Sequence, residues 1–172
     1  MVAWGLVILR LVVGGIVAAH GAQKLFGWWG GPGMTGWLGA MNRMRIRPPE
    51  PWAWISALAE LLGGLGFVVG LLNPLPSLAI LGSMLAAIAL VHWPRGFWVA
   101  KGGYEFNLST IAAIATIALA GPGTYSLDAA FGIHLPEPWV LIVGTILTMA
   151  GVGVALGTRA PQAEVKPKPQ TT

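Results

Sequence analysis

A few ionisable side chains stand inside or at the rim of otherwise apolar stretches: Arg10, His20, Lys24, Glu60, His92 and Glu105. Their types suit proton and carbonyl chemistry. An imidazole donates to a carbonyl oxygen, an ammonium stabilises developing negative charge, and a carboxylate relays protons. Other chemistries lack their parts. The absence of cysteine removes disulfides, thiolate metal sites and dithiol relays. There is no helix with paired histidines and no His-x-x-Glu set, so no metal site is expected. Any redox role must then use a bound cofactor.

These side chains need elements to position them, and composition says where those elements lie. Of 172 residues, 55% are hydrophobic and 9% charged, against roughly a quarter charged in soluble domains. Mean hydropathy is +0.71. A soluble monomer is excluded. A membrane span needs about 20 mostly apolar residues, and five stretches qualify: Val2 to Gly21, Trp52 to Leu72, Leu75 to Trp93, Tyr104 to Gly121 and Trp139 to Gly157. Pro48, Pro49 and Pro51 precede the second, Pro74 and Pro76 divide the second from the third, Pro94 ends the third, and Pro136 and Pro138 precede the fifth. The first has no basic residue ahead of it and no small-x-small site after it, so it is expected to remain as a helix and not to be removed as a signal peptide.

The cations orient the chain. Lys24, Arg43, Arg45, Arg47, Arg95, Lys101, Arg159, Lys166 and Lys168 fall on one side of a five-span threading, and Arg10 lies inside the first span. The positive-inside rule makes that side cytoplasmic, with the N-terminus outside, in a multi-pass plasma-membrane protein. The net charge of +4 therefore reads as orientation. With no basic stripe to lay on phosphates, nucleic acid is not an expected partner. Trp28, Trp29, Trp52, Trp54, Trp93 and Trp98 crowd the basic side, and Trp4 and Trp139 mark the other, as in an aromatic belt. Met34, Trp37, Leu38, Met41 and Ile46 approximate helical spacing, predicting a short helix lying in the interface. Residues 1–157 read as one transmembrane domain, and residues 158–172, rich in Pro, Lys and Gln, as a disordered cytoplasmic tail.

Within this frame the polar residues are expected to converge. Arg10, Gly14, Val17, Gly21 and Lys24 share one helical face, with glycines that admit a neighbour closely. Glu60 shares a face with Ser56, Gly63, Gly64 and Phe67, about 12 Å from the cytoplasmic end of its span. Counted back from His20, Arg10 lies about 15 Å from the same end, so an Arg10–Glu60 ion pair near mid-membrane is expected. His20, Lys24, His92 and Glu105 gather at the cytoplasmic boundary, and with Glu60 they outline a polar ligand pocket open to that leaflet. Simpler roles exist for each. The ion pair fixes helix register, the histidines snorkel onto backbone carbonyls, and Glu105 meets the dipole at a helix start. Gly153 and Gly157 read as packing, and Asp128 and His134 in the outer connection form no recognisable constellation.

The string His20-Gly21-Ala22-Gln23-Lys24-Leu25-Phe26-Gly27, followed by Gly31-Pro32-Gly33, resembles the first-helix signature of the DoxX family of small bacterial membrane proteins. Ala59-Glu60-Leu61-Leu62-Gly63-Gly64, His92-Trp93-Pro94-Arg95-Gly96-Phe97-Trp98, Gly103-Tyr104-Glu105-Phe106, Gly121-Pro122-Gly123 and Tyr125-Ser126-Leu127-Asp128 follow in the family order, so the likeness covers about residues 4 to 130. The resemblance implies an all-α membrane protein: a four-helix transmembrane bundle of DoxX type, here with a fifth C-terminal transmembrane helix. It also implies kinship with DoxD, the membrane subunit of a thiosulfate:quinone oxidoreductase, and with membrane redox assemblies that have soluble partners. It carries over no catalytic residue.

Residues and resemblance together point to a membrane subunit that binds a quinone or similar lipid-soluble ligand, with His20 or His92 donating to a carbonyl, Lys24 stabilising negative charge and Glu60 or Glu105 relaying protons. Its expected partners are the lipid bilayer, a soluble redox protein and further copies of itself. The alternative is a non-catalytic scaffold whose polar core is structural and whose loops recruit soluble partners. A transporter ranks behind both, because neither an internal repeat nor a broken helix is evident.

Overall fold

The computed structural model describes residues 1–136 and 138–161. It is helical throughout its regular structure: α1 Val2–Phe26, α2 Gly33–Arg43, α3 Pro49–Val69, α4 Leu75–Arg95, α5 Glu105–Ala120, the short α6 Leu127–Phe131 and α7 Trp139–Gly157. Single π-helical turns interrupt α1 at Arg10–Gly14 and α4 at Ile88–His92. Prolines open α3 and α4, where a missing N–H costs nothing. Left-handed glycines end α1 at Gly27 and α3 at Gly70.

Four helices, α1, α3, α4 and α7, are long and apolar enough to cross a membrane. Helix α5 is apolar but has 16 residues, about 24 Å of helix against a hydrocarbon core of about 30 Å. Ile8, Leu11 and Val12 of α1, Leu62 and Leu65 of α3, and Ile146 and Leu147 of α7 lie exposed at mid-helix, which a lipid environment accepts and water does not. This is a multi-pass membrane protein in contact with the bilayer.

Apolar side chains gain little from leaving lipid for one another, so close approach and polar contacts must hold the helices together. The glycines supply the approach between α1 and α3. A Cβ on Gly21 would fall 2.3 Å from the Leu61 backbone nitrogen, and one on Gly64 2.4 Å from that of Ala18. These contacts pair α1 and α3 antiparallel, as the glycine faces of both predict. Helix α4 packs on α3 through Gly63 against Ala79 and Ile80. Helix α7 runs parallel to α4, with Leu78 on Gly144 and the Thr148 methyl on Gly82. Val17, Phe67, Ile80, Met84, Ile114 and Ile117 fill the centre between α1, α3, α4 and α5.

The described Lys and Arg other than Arg10 lie at one end of this bundle, hereafter the basic end. There α2 sets the apolar face expected of it, Met34, Trp37, Leu38 and Met41, against Ala53, Trp52 and Leu90. The start of the expected disordered tail is held in place: Arg159 Nε donates to the Met44 carbonyl at 3.2 Å, and the Ala160 amide to that of Arg45 at 2.9 Å. The rest of that tail, from residue 162, lies outside the described residues.

Candidate functional site

Glu60 is 3% exposed, on the inner face of α3. The contact of α1 with α3 brings Lys24 beside it, and Lys24 Nζ donates to Glu60 Oε1 at 2.6 Å. From α4, Ser83 Oγ donates to the same oxygen at 2.5 Å. Glu60 Oε2 is buried and makes no hydrogen bond among the described residues. Lys24 also stands over the Trp37 ring of α2, 4.3 Å from its centroid, a geometry that favours an ammonium. Trp37 Nε1 donates to Ser56 Oγ at 2.9 Å, and Ser56 donates to the Ala53 carbonyl at 3.1 Å. One polar circuit thus links four helices.

Both serines of that circuit face a cavity of about 250 Å³. Its walls are Trp52 and Ile55 of α3, Leu78 and Leu90 of α4, and Val152 and Ala155 of α7, and Met41 and Ile46 close its basic end. The lining is apolar apart from a few groups, Ser56, Ser83 and Thr148 among them. Such a site takes a mainly apolar molecule and orients it through a hydroxyl contact.

The expected Arg10–Glu60 pair is not formed, because Glu60 pairs with Lys24. Two features set the difference. Helix α1 continues past His20 to Phe26, and the Gly14, Gly21 and Gly64 contacts fix the axial register. Arg10 is level with Gly70, where a Cβ would fall 1.9 Å from its Nη1, about 15 Å along α3 from Glu60.

Arg10 instead joins a knot at the end opposite the basic one. It is 2% exposed and donates through Nη2 to the Tyr125 carbonyl. Asp128, buried beside it, accepts from the Leu72 amide at 2.7 Å and the Asn73 amide at 2.8 Å, and its own amide donates to Gly70. Leu72 has φ 57°, a left-handed conformation that branched side chains rarely adopt, and the carboxylate holds it there.

None of the five expected pocket residues lines the cavity: Lys24 and Glu60 stand behind Ser83, and the other three lie elsewhere at the basic end. His92 Nδ1 donates to the Gly102 carbonyl at 2.7 Å, and Glu105 Oε2 accepts from the Val99 amide at 2.9 Å, so both fold the loop between α4 and α5. His20 is exposed, edge-on to Phe106 at 6.2 Å. Of the five pocket residues, Lys24 and Glu60 are joined, and the other three stand apart from them.

Ser83, Trp37 and Asp128 carry contacts that residue-by-residue reading did not assign. A signal for Ser83 existed: Ala79, Gly82, Ser83 and Ala86 make a small, weakly polar stripe on α4 at helical spacing. For Asp128 the family likeness marked the position but not its role, since its partners are backbone amides more than fifty positions away.

Comparison with known proteins adds one finding. Neither the curated proteins nor the solved structures yield a match. The DoxX family model matches residues 5–93, from α1 nearly to the end of α4, a stretch that holds Lys24, Trp37, Ser56, Glu60 and Ser83 and leaves out α7. The chain belongs to the DoxX family.

Proposed function

We propose that this protein is the membrane subunit of a redox assembly and holds a quinone or similar lipid-soluble ligand in the cavity between α3, α4 and α7. The observation that carries this reading is an apolar cavity with one serine, Ser83, bonded directly to a buried ion pair and a second, Ser56, linked to it through Trp37. An aromatic head group fits the apolar walls, and Ser56, Ser83 and Thr148 are polar groups it meets there. Lys24 and Glu60 supply compensating charge and a proton acceptor near the basic end. Placing that end in the cytoplasm, with the N-terminus outside the plasma membrane, follows from the cations gathered there. A soluble electron-transfer partner then docks at the same end, where Arg43 ends α2, Arg95 ends α4 and Lys101 lies in the loop before α5.

The test is binding in lipid nanodiscs. A short-chain quinone analogue raises the unfolding midpoint of the wild type, and Ala59→Leu or Ala86→Leu, which fill the cavity from α3 and α4, remove that rise. No quinone on extraction and no thermal response to analogues would overturn the reading. The native chain has no cysteine, so single cysteines at Val2 and Thr158 test orientation: an impermeant maleimide added outside labels the first and spares the second.

A second reading, a scaffold for soluble partners, draws on a different observation. His92 and Glu105 are spent on folding the loop between α4 and α5, which presents Phe97 and Trp98 outward beside Trp93 near the end of α4. Loss of partner recruitment on replacing that loop, with no effect of Ala59→Leu, favours it.

A further inference from the structure

The hydrogen positions around the cavity define the ligand more narrowly, granted that the cavity is the ligand site. A hydroxyl has one hydrogen to donate and two lone pairs to accept with. The Ser83 hydrogen is committed to Glu60 Oε1. The Ser56 hydrogen is committed to the Ala53 carbonyl, and one of its lone pairs to Trp37 Nε1. Both serines therefore turn lone pairs and no hydrogen toward the cavity they line. The commitment of Ser83 is firm, because Glu60 is a buried acceptor already held by Lys24 and has no other hydroxyl donor.

We propose that the cavity selects a membrane-soluble molecule bearing a hydroxyl on an aromatic head, the hydroquinone or phenol class, which donates its hydrogen bond to Ser83 Oγ. A bare carbonyl brings only lone pairs to lone pairs at this position and is disfavoured. The oxidised and reduced forms of one lipid-soluble carrier then bind with different strength, and the reduced form is held.

The discriminating pair is a para-alkylphenol and its methyl ether, which match in size and apolarity and avoid redox chemistry. Binding to the full-length protein in nanodiscs is measured by calorimetry. The wild type is expected to hold the phenol about tenfold tighter, the worth of one neutral hydrogen bond of about 1.4 kcal/mol. Ser83→Ala brings the ratio close to one. Glu60→Gln keeps the wild-type ratio, because the carboxamide oxygen stays where Lys24 and Ser83 both donate and the seryl hydrogen remains committed. Equal binding of both compounds by the wild type overturns this inference and leaves the cavity reading standing. Binding of neither overturns the cavity reading itself. The wild-type ratio decides the matter even where a variant fails to fold.

Discussion

Two buried ionic clusters stand about 15 Å apart along α3, and they are built for different ends. At the far end, Asp128 spends both carboxylate oxygens on the Leu72 and Asn73 amides, and Arg10 Nη2 reaches the Tyr125 carbonyl while its Nε and Nη1 find no acceptor among the described residues, so the hydrogen bonds that hold these charges all end on backbone. At the basic end, Glu60 spends one oxygen on side chains from two other helices and leaves the second unbonded, beside a cavity. Arg10 costs about 3 kcal/mol to place at a helix centre in a membrane, yet it serves the fold. Burial of charge alone does not mark a binding site. What separates the two clusters is whether the polar network ends on backbone or on hydroxyls that face open space.

The comparison breaks most sharply at Asp128. Asp128→Ala leaves two amides of the α3–α4 turn without their acceptor and removes the negative charge near the buried Arg10, and should cost about 4 kcal/mol. A large drop in the unfolding midpoint in nanodiscs, with the ligand effect per folded molecule unchanged, is the expected result. Lys24→Met strands the Glu60 carboxylate and should cost about 3 kcal/mol, most of it recovered in the Lys24→Met/Glu60→Leu double variant, because removing both charges also removes the desolvation cost. If the double variant is as unstable as the single one, Lys24 acts through its contact with Trp37 and not through the pair. Ser83→Ala should lower stability by only about 0.6 kcal/mol, the average for interhelical hydrogen bonds in lipid, while abolishing discrimination between phenol and ether. His20→Ala should change stability by less than about 0.5 kcal/mol, as an exposed ring with one aromatic edge contact implies. A large loss there would return His20 to the site.

Much of the architecture was legible from residue order. The proline and glycine breaks placed the five long apolar helices within a few residues and missed the short α6, because a missing N–H or a left-handed turn stops a helix wherever it occurs. The largest boundary error was the end of α1, set at Gly21 and found at Phe26, and it propagated directly into the wrong partner for Glu60. The apolar face of α2, from Met34 to Met41, was also legible, since spacing on a helix determines which side chains meet a neighbour.

What the sequence by itself determined is therefore local and angular: which segments are helices, which face of each is small or polar, and which end carries the cations. Those properties follow from a fixed helical period and from composition. Only the tertiary structure decided the axial level at which faces meet, and so joined Lys24 to Glu60 and sent Arg10 to the Asp128 knot. A helical face repeats along its length and fits a neighbour at several offsets, and the glycine contacts of Gly21 on Leu61 and Gly64 on Ala18 select one of them. The cavity is likewise tertiary, since α7 must pack parallel to α4 before the small residues of α4 have a wall to face.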